Sequence, residues 1–86
     1  MSKAEQLSQE EYLKRCQAAA GEGNVVAQNT LGFLYLNGQG VEQSDEAAVT
    51  WFRRAADDGY AAAQYNLAVM YKLGQGVEQS HPESIK

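Results

Sequence analysis

The sequence predicts an all-α fold assembled from repeated helix pairs. Three observations support this: the chain matches itself at an offset of 36 residues, its apolar and small residues recur at helical spacing, and glycines stand just past the apolar runs. At that offset GQGVEQS, residues 38–44, returns unchanged as residues 74–80. Ala19, Ala20, Gly23, Ala27, Gln28, Leu31 and Tyr35 likewise meet Ala55, Ala56, Gly59, Ala63, Gln64, Leu67 and Tyr71, giving fourteen ungapped identities over residues 19–44. A period of this length marks a stack of similar units, each burying its apolar face against its neighbours.

Four helices are expected, over residues 9–20, 25–37, 45–57 and 61–73, with a C-terminal stub after them. In the first, Cys16, Ala19 and Ala20 align with Phe52, Ala55 and Ala56, so this segment reads as the second helix of a pair whose first is missing, capping the stack. Ser8 and Glu11 have the spacing of a capping box, which would start that helix and leave residues 1–8 as flexible chain. The second and fourth are the leading helices of their units. Ala27, Leu31, Leu34 and Tyr35 share one side of the former, and Ala63, Leu67, Met70 and Tyr71 one side of the latter. Between them a trailing helix carries Ala48, Trp51, Phe52, Ala55 and Ala56, entered through the capping residue Ser44 and the acids Asp45 and Glu46. Gly38, Gly59 and Gly74 stand where helix-terminating residues turn left-handed. Ser80 and Pro82 read as the start of another trailing helix, which ends at Lys86. The organisation is then one domain over 9–86: a cap (9–23), a full repeat (24–59) and a truncated repeat (60–86).

These residues resemble a known family. Leu31, Gly32 and Tyr35, followed by Ala48, Phe52 and Ala55, have the types and spacings of tetratricopeptide repeats, but Leu31 to Ala48 is 17 positions, four more than that shorter repeat implies. The extra length holds Gly38-Gln39-Gly40-Val41, and the 36-residue unit is similar to the Sel-one-like repeat (SLR). The second unit keeps Leu67, Tyr71, Gly74, Gly76 and Val77 but places Ala68 where the first has Gly32. The resemblance implies a short right-handed α-α superhelix, a solenoid of antiparallel helix pairs, acting as a scaffold for protein–protein contacts without conserved catalysis. Some secreted bacterial members carry paired cysteines in each repeat, and this chain has a single cysteine.

Composition narrows the function classes. At 86 residues and 9.4 kDa the chain holds one small domain. Its net charge of −4, with no run of Lys or Arg, disfavours nucleic acid and anionic membranes as partners. The lone Cys16 cannot form an intramolecular disulfide, the apolar run of residues 31–36 is far too short to span a bilayer, and the polar N-terminus lacks a secretory signal. A cytoplasmic location is expected, although a chain trimmed of a leader would read the same.

Candidate chemistry is sparse. Cys16 aligns with a core position, and His81, the single histidine, has neither a Cys nor a second His near it, so a metal site lacks ligands and a nucleophile lacks a base. The GxG elements lack the GK[ST] of a phosphate loop and recur between helices, which makes them turns. Glu10, Glu11, Glu22, Asp57 and Asp58 lie at helix ends, and a hydrolase reading rests on such carboxylates alone. Arg53 and Arg54 would lay their stems over apolar surface. No catalytic residue, cofactor or metal is assigned.

Recognition is therefore placed on the leading helices. Asn29, Phe33 and Leu36, with Tyr65, Val69 and Lys72 in the next unit, form a stripe opposite the core side and are the candidate concave face for a protein or peptide. If the last trailing helix is absent, Leu67, Met70 and Tyr71 lack cover from their own unit and form a candidate self-association patch, hence a possible homo-oligomer. The expected function is a non-enzymatic interaction module, adaptor or regulator, of bacterial type. The alternative is a segment of a longer array without separate function.

Overall fold

The computed structural model describes residues 3–76, with side chains from Ser8 onward. Four helices follow one another: α1 (Lys3–Gly21), α2 (Val25–Asn37), α3 (Asp45–Asp57) and α4 (Ala61–Leu73). Each packs antiparallel on the next, α1 on α2, α2 on α3 and α3 on α4, to give an elongated body of 46 × 24 × 15 Å. The bounds of α2, α3 and α4 coincide with those expected from spacing. The expected stub falls outside the described residues, as do His81 and Pro82.

The helix ends follow from local chemistry. The Asn24 side chain accepts a hydrogen bond from the Ala27 amide at 3.0 Å, and Ser44 Oγ accepts one from the Ala47 amide at 3.1 Å. Gly38 and Gly74 cap α2 and α4 in the left-handed region, at φ 66° and 69°. The first helix departs from expectation. It runs back to Lys3, so Ser8 lies within the helix and not at its cap, and Glu11 instead pairs with Arg15 one turn on, at 2.6 Å. Lys3, Ala4, Glu5, Gln6 and Leu7 are all strong helix formers, with no Gly or Pro to halt them, so the helix extends past the capping signal.

The repeat in sequence is also a repeat in hydrogen bonds. The amide of Asn24 donates to the Ala19 carbonyl and that of Tyr60 to the Ala55 carbonyl, both at 3.1 Å, while Gln39 donates to Leu34 at 2.9 Å and Gln75 to Met70 at 3.0 Å. Gln28 Nε2 reaches the Ala20 carbonyl at 3.1 Å, and Gln64 Nε2 the Ala56 carbonyl at 3.2 Å, each a second donor to an end-of-helix carbonyl that also accepts the amide of Gly23 or Gly59.

Two apolar clusters hold the stack. Cys16, Ala20, Ala27, Leu31 and Leu34 join α1 to α2, with Trp51 of α3 against them, and Ala48, Val49, Phe52 and Met70 join α3 to α4, flanked by Tyr35, Leu36 and Leu67. Phe52 and Leu31 are the largest fully buried side chains, and each such burial stabilises by about 1.5–3 kcal/mol. Phe52 reaches this position because Gly32 has no side chain: a Cβ there would clash with the Cδ1–Cε1 edge of the Phe52 ring. The GxG turn docks similarly. A Cβ on Gly76, whose φ is 71°, would strike the Asp45 carbonyl, so glycine suits this position on two counts.

Candidate functional site

The exposed stripe on α2 and α4 is built at one-repeat spacing, so that Asn29, Phe33 and Leu36 on α2 have Tyr65, Val69 and Lys72 as counterparts on α4. The structure treats these six residues differently. Phe33 is 41% exposed, and its ring meets that of Phe52 edge-on at 76° and 5.2 Å, which fixes the orientation of its outer face. Tyr65 is 71% exposed, the largest such fraction among the big apolar side chains described. Val69 is half-buried and Lys72 exposed. Leu36 is corrected: it packs against the Ala48–Val49–Phe52–Met70 cluster, because the end of α2 turns this side to α3, and so it does not belong to the open stripe.

Asn29 Oδ1 accepts a hydrogen bond from Asn66 Nδ2 at 3.0 Å, joining the two leading helices directly. Asn66 was not among the candidates, since its counterpart in the first unit is Thr30 and the 36-residue alignment does not pair it with Asn29. The two asparagines are 37 positions apart, one more than the repeat, and this offset was the available signal.

The self-association patch also needs correction. Met70 is 2% exposed, enclosed by α3, the trailing helix of the preceding unit, and so is not open for association. Leu67 is half-buried against the same cluster, and Tyr71 lies under Arg53, whose guanidinium donates to the Tyr71 hydroxyl and stands 5.5 Å from the ring centre. Arg54 lies over the Trp51 ring at 4.8 Å. Both arginines therefore cover aromatic surface.

The remaining candidates are placed as follows. Cys16 is a buried free thiol in the first cluster. It acts on Tyr12, whose phenol is held above its ordinary pKa first by the charge of Cys16, then by their hydrogen bond and by partial desolvation. Glu10, Glu11, Glu22, Asp57 and Asp58 are all exposed. Among the described residues no three His, Cys, Asp or Glu side chains group to hold a metal, and no helix is long and apolar enough to cross a membrane.

The fold and its exposed stripe define a helical-repeat module, a class generally built as non-catalytic scaffold. The Sel1 repeat family model matches residues 25–60 and 61–86, and the chain belongs to that family. Two solved structures share the fold. One is a protective antigen present in uropathogenic Escherichia coli strains that displays an SLR fold, with 43% identity and a TM-score of 0.79 over 81% of this chain and 15% of its own. The other is a Sel1 repeat protein from Oxalobacter formigenes, with 38% identity and a TM-score of 0.79 over 81% of this chain and 20% of its own. The chain thus spans a fifth or less of each of these structures. No curated protein matches it.

Proposed function

We propose that the chain is a non-enzymatic adaptor or regulatory module that binds a protein or peptide segment on the face shared by α2 and α4. One observation carries the reading: two large aromatic side chains, Phe33 and Tyr65, stand open on the adjoining leading helices that the Asn29–Asn66 hydrogen bond joins. An aromatic and apolar centre of Phe33, Tyr65 and Val69, rimmed by amides and Lys72, has the make-up of a binding patch, in which buried aromatics supply affinity and the polar rim sets orientation. Repeat modules generally mediate protein contacts, in keeping with this reading.

The test is a displayed peptide library panned on the wild-type chain and on the double variant Phe33→Asp/Val69→Asp, with circular dichroism to establish that both fold. Peptides enriched by the wild type and lost by the variant support the site. Equal enrichment on both removes it.

A further inference from the structure

A single hydrogen bond joins the two leading helices, Asn66 Nδ2 donating to Asn29 Oδ1 at 3.0 Å. A primary amide carries two donor hydrogens and an acceptor oxygen, so this bond leaves a donor on Asn29 Nδ2 and an acceptor on Asn66 Oδ1. Neither takes another partner among the described residues. Neither is enclosed, because the one side-chain polar atom buried there without a partner is Gln28 Oε1. At the seam between α2 and α4, two bonded neighbours therefore offer solvent one donor and one acceptor.

The surface around the pair is almost without charge. α2 has no Asp, Glu, Lys or Arg, and α4 has Lys72 alone, near its C-terminal end. Val26, one turn before Thr30, is an apolar side chain 55% exposed, and the Thr30 hydroxyl donates back to the Val26 carbonyl at 2.9 Å, within its own helix. A charged group laid over Asn29, Asn66 and Phe33 would lose its water and find no counter-ion beside it, which is costly. A main-chain amide is neutral and presents one N–H and one C=O, the complement of what the pair offers. Those groups are open in an extended chain, whereas a helix bonds its own.

Spacing agrees with an extended segment. Phe33 lies four residues beyond Asn29 and Val69 three beyond Asn66, about 4.5–6 Å along each axis at ~1.5 Å per residue. Two residues of extended chain span about 6.6 Å. A segment that sets one peptide group on the asparagine pair thus brings the next-but-one residue to Phe33 and Val69.

We infer that this face holds an extended, uncharged polypeptide segment by its main chain, with Asn29 Nδ2 donating to a carbonyl of the segment and Asn66 Oδ1 accepting from one of its amides. The inference rests on the proposed binding face and adds the form of the partner and the groups that read it.

The probe is a peptide enriched on the wild-type chain in the panning and lost on Phe33→Asp/Val69→Asp, synthesised with both ends blocked, together with analogues in which each main-chain amide in turn is replaced by an ester. An ester lacks the N–H and has a weaker acceptor carbonyl. Calorimetric titration into the wild type should show one position, or two adjacent ones, where the ester weakens binding about 3–10-fold, the worth of a hydrogen bond or two. Asn66→Leu should bind the parent peptide more weakly by a similar factor and no longer distinguish it from that ester. If every ester binds the wild type as the parent does, main-chain reading is wrong while the face itself stands, and this result needs no variant to fold. An ester effect of the same size on folded Asn66→Leu also overturns the inference. If panning yields no peptide that Phe33→Asp/Val69→Asp loses, the face and the inference fall together.

Discussion

Replacing Gly32 by Ala should have an effect whose sign depends on Phe52. An added Cβ clashes with the Cδ1–Cε1 edge of the Phe52 ring, which is 1% exposed and braced edge-on by Phe33, so it has little freedom to retreat. Overpacking of this kind costs about 1–3 kcal/mol. Against it, alanine is favoured over glycine inside a helix by about 1 kcal/mol. The single variant should therefore lose about 0–2 kcal/mol, the difference of these two effects. With Phe52→Leu in the background the ring is gone, and the same Gly32→Ala change should then stabilise by up to about 1 kcal/mol. The coupling between the two sites is the overpacking itself, about 1–3 kcal/mol. Urea unfolding followed at 222 nm on wild type, both singles and the double closes the cycle. A Gly32→Ala effect equal in both backgrounds would refute the claim that Phe52 occupies the glycine notch.

Two further outcomes are expected. Leu31→Ala should cost about 3–5 kcal/mol, as for a fully enclosed leucine, whereas Leu67→Ala at the matching but half-buried position should cost about 1–2 kcal/mol; equal losses in chemical denaturation would contradict the unequal covering of α2 and α4. Tyr12 should titrate at higher pH in the folded chain than in the unfolded one, because the neighbouring Cys16 disfavours the phenolate. Its contribution to stability is then present below the unfolded phenol's pKa and lost as pH rises through the folded value. Cys16→Ala should lower the midpoint of the Tyr12 ring-carbon NMR titration, and an unmoved midpoint would disprove the coupling.

Much of the architecture was legible because the information is local. A 36-residue self-match, the Ser44 cap and the left-handed glycines Gly38 and Gly74 are properties of a few neighbouring residues, and they set the bounds of α2, α3 and α4 without reference to the rest of the chain. The same local reasoning missed the start of α1, where helix-forming residues continue straight through the capping signal. The candidate site was legible in part: spacing put Phe33, Tyr65 and Val69 on one stripe, but could not show that Asn66, offset by one position from the repeat, joins Asn29.

What the sequence determined by itself is that each unit folds as a helix pair with an apolar side to bury, since periodicity and turn chemistry act within a unit. Only the tertiary structure decided which neighbour covers which side. It enclosed Met70 under α3, drew Leu36 inward and set Phe52 into the Gly32 notch. The physical reason is that helix–helix approach is governed by the volumes that meet at each crossing, a property of residue pairs far apart in the chain that no single periodic pattern contains.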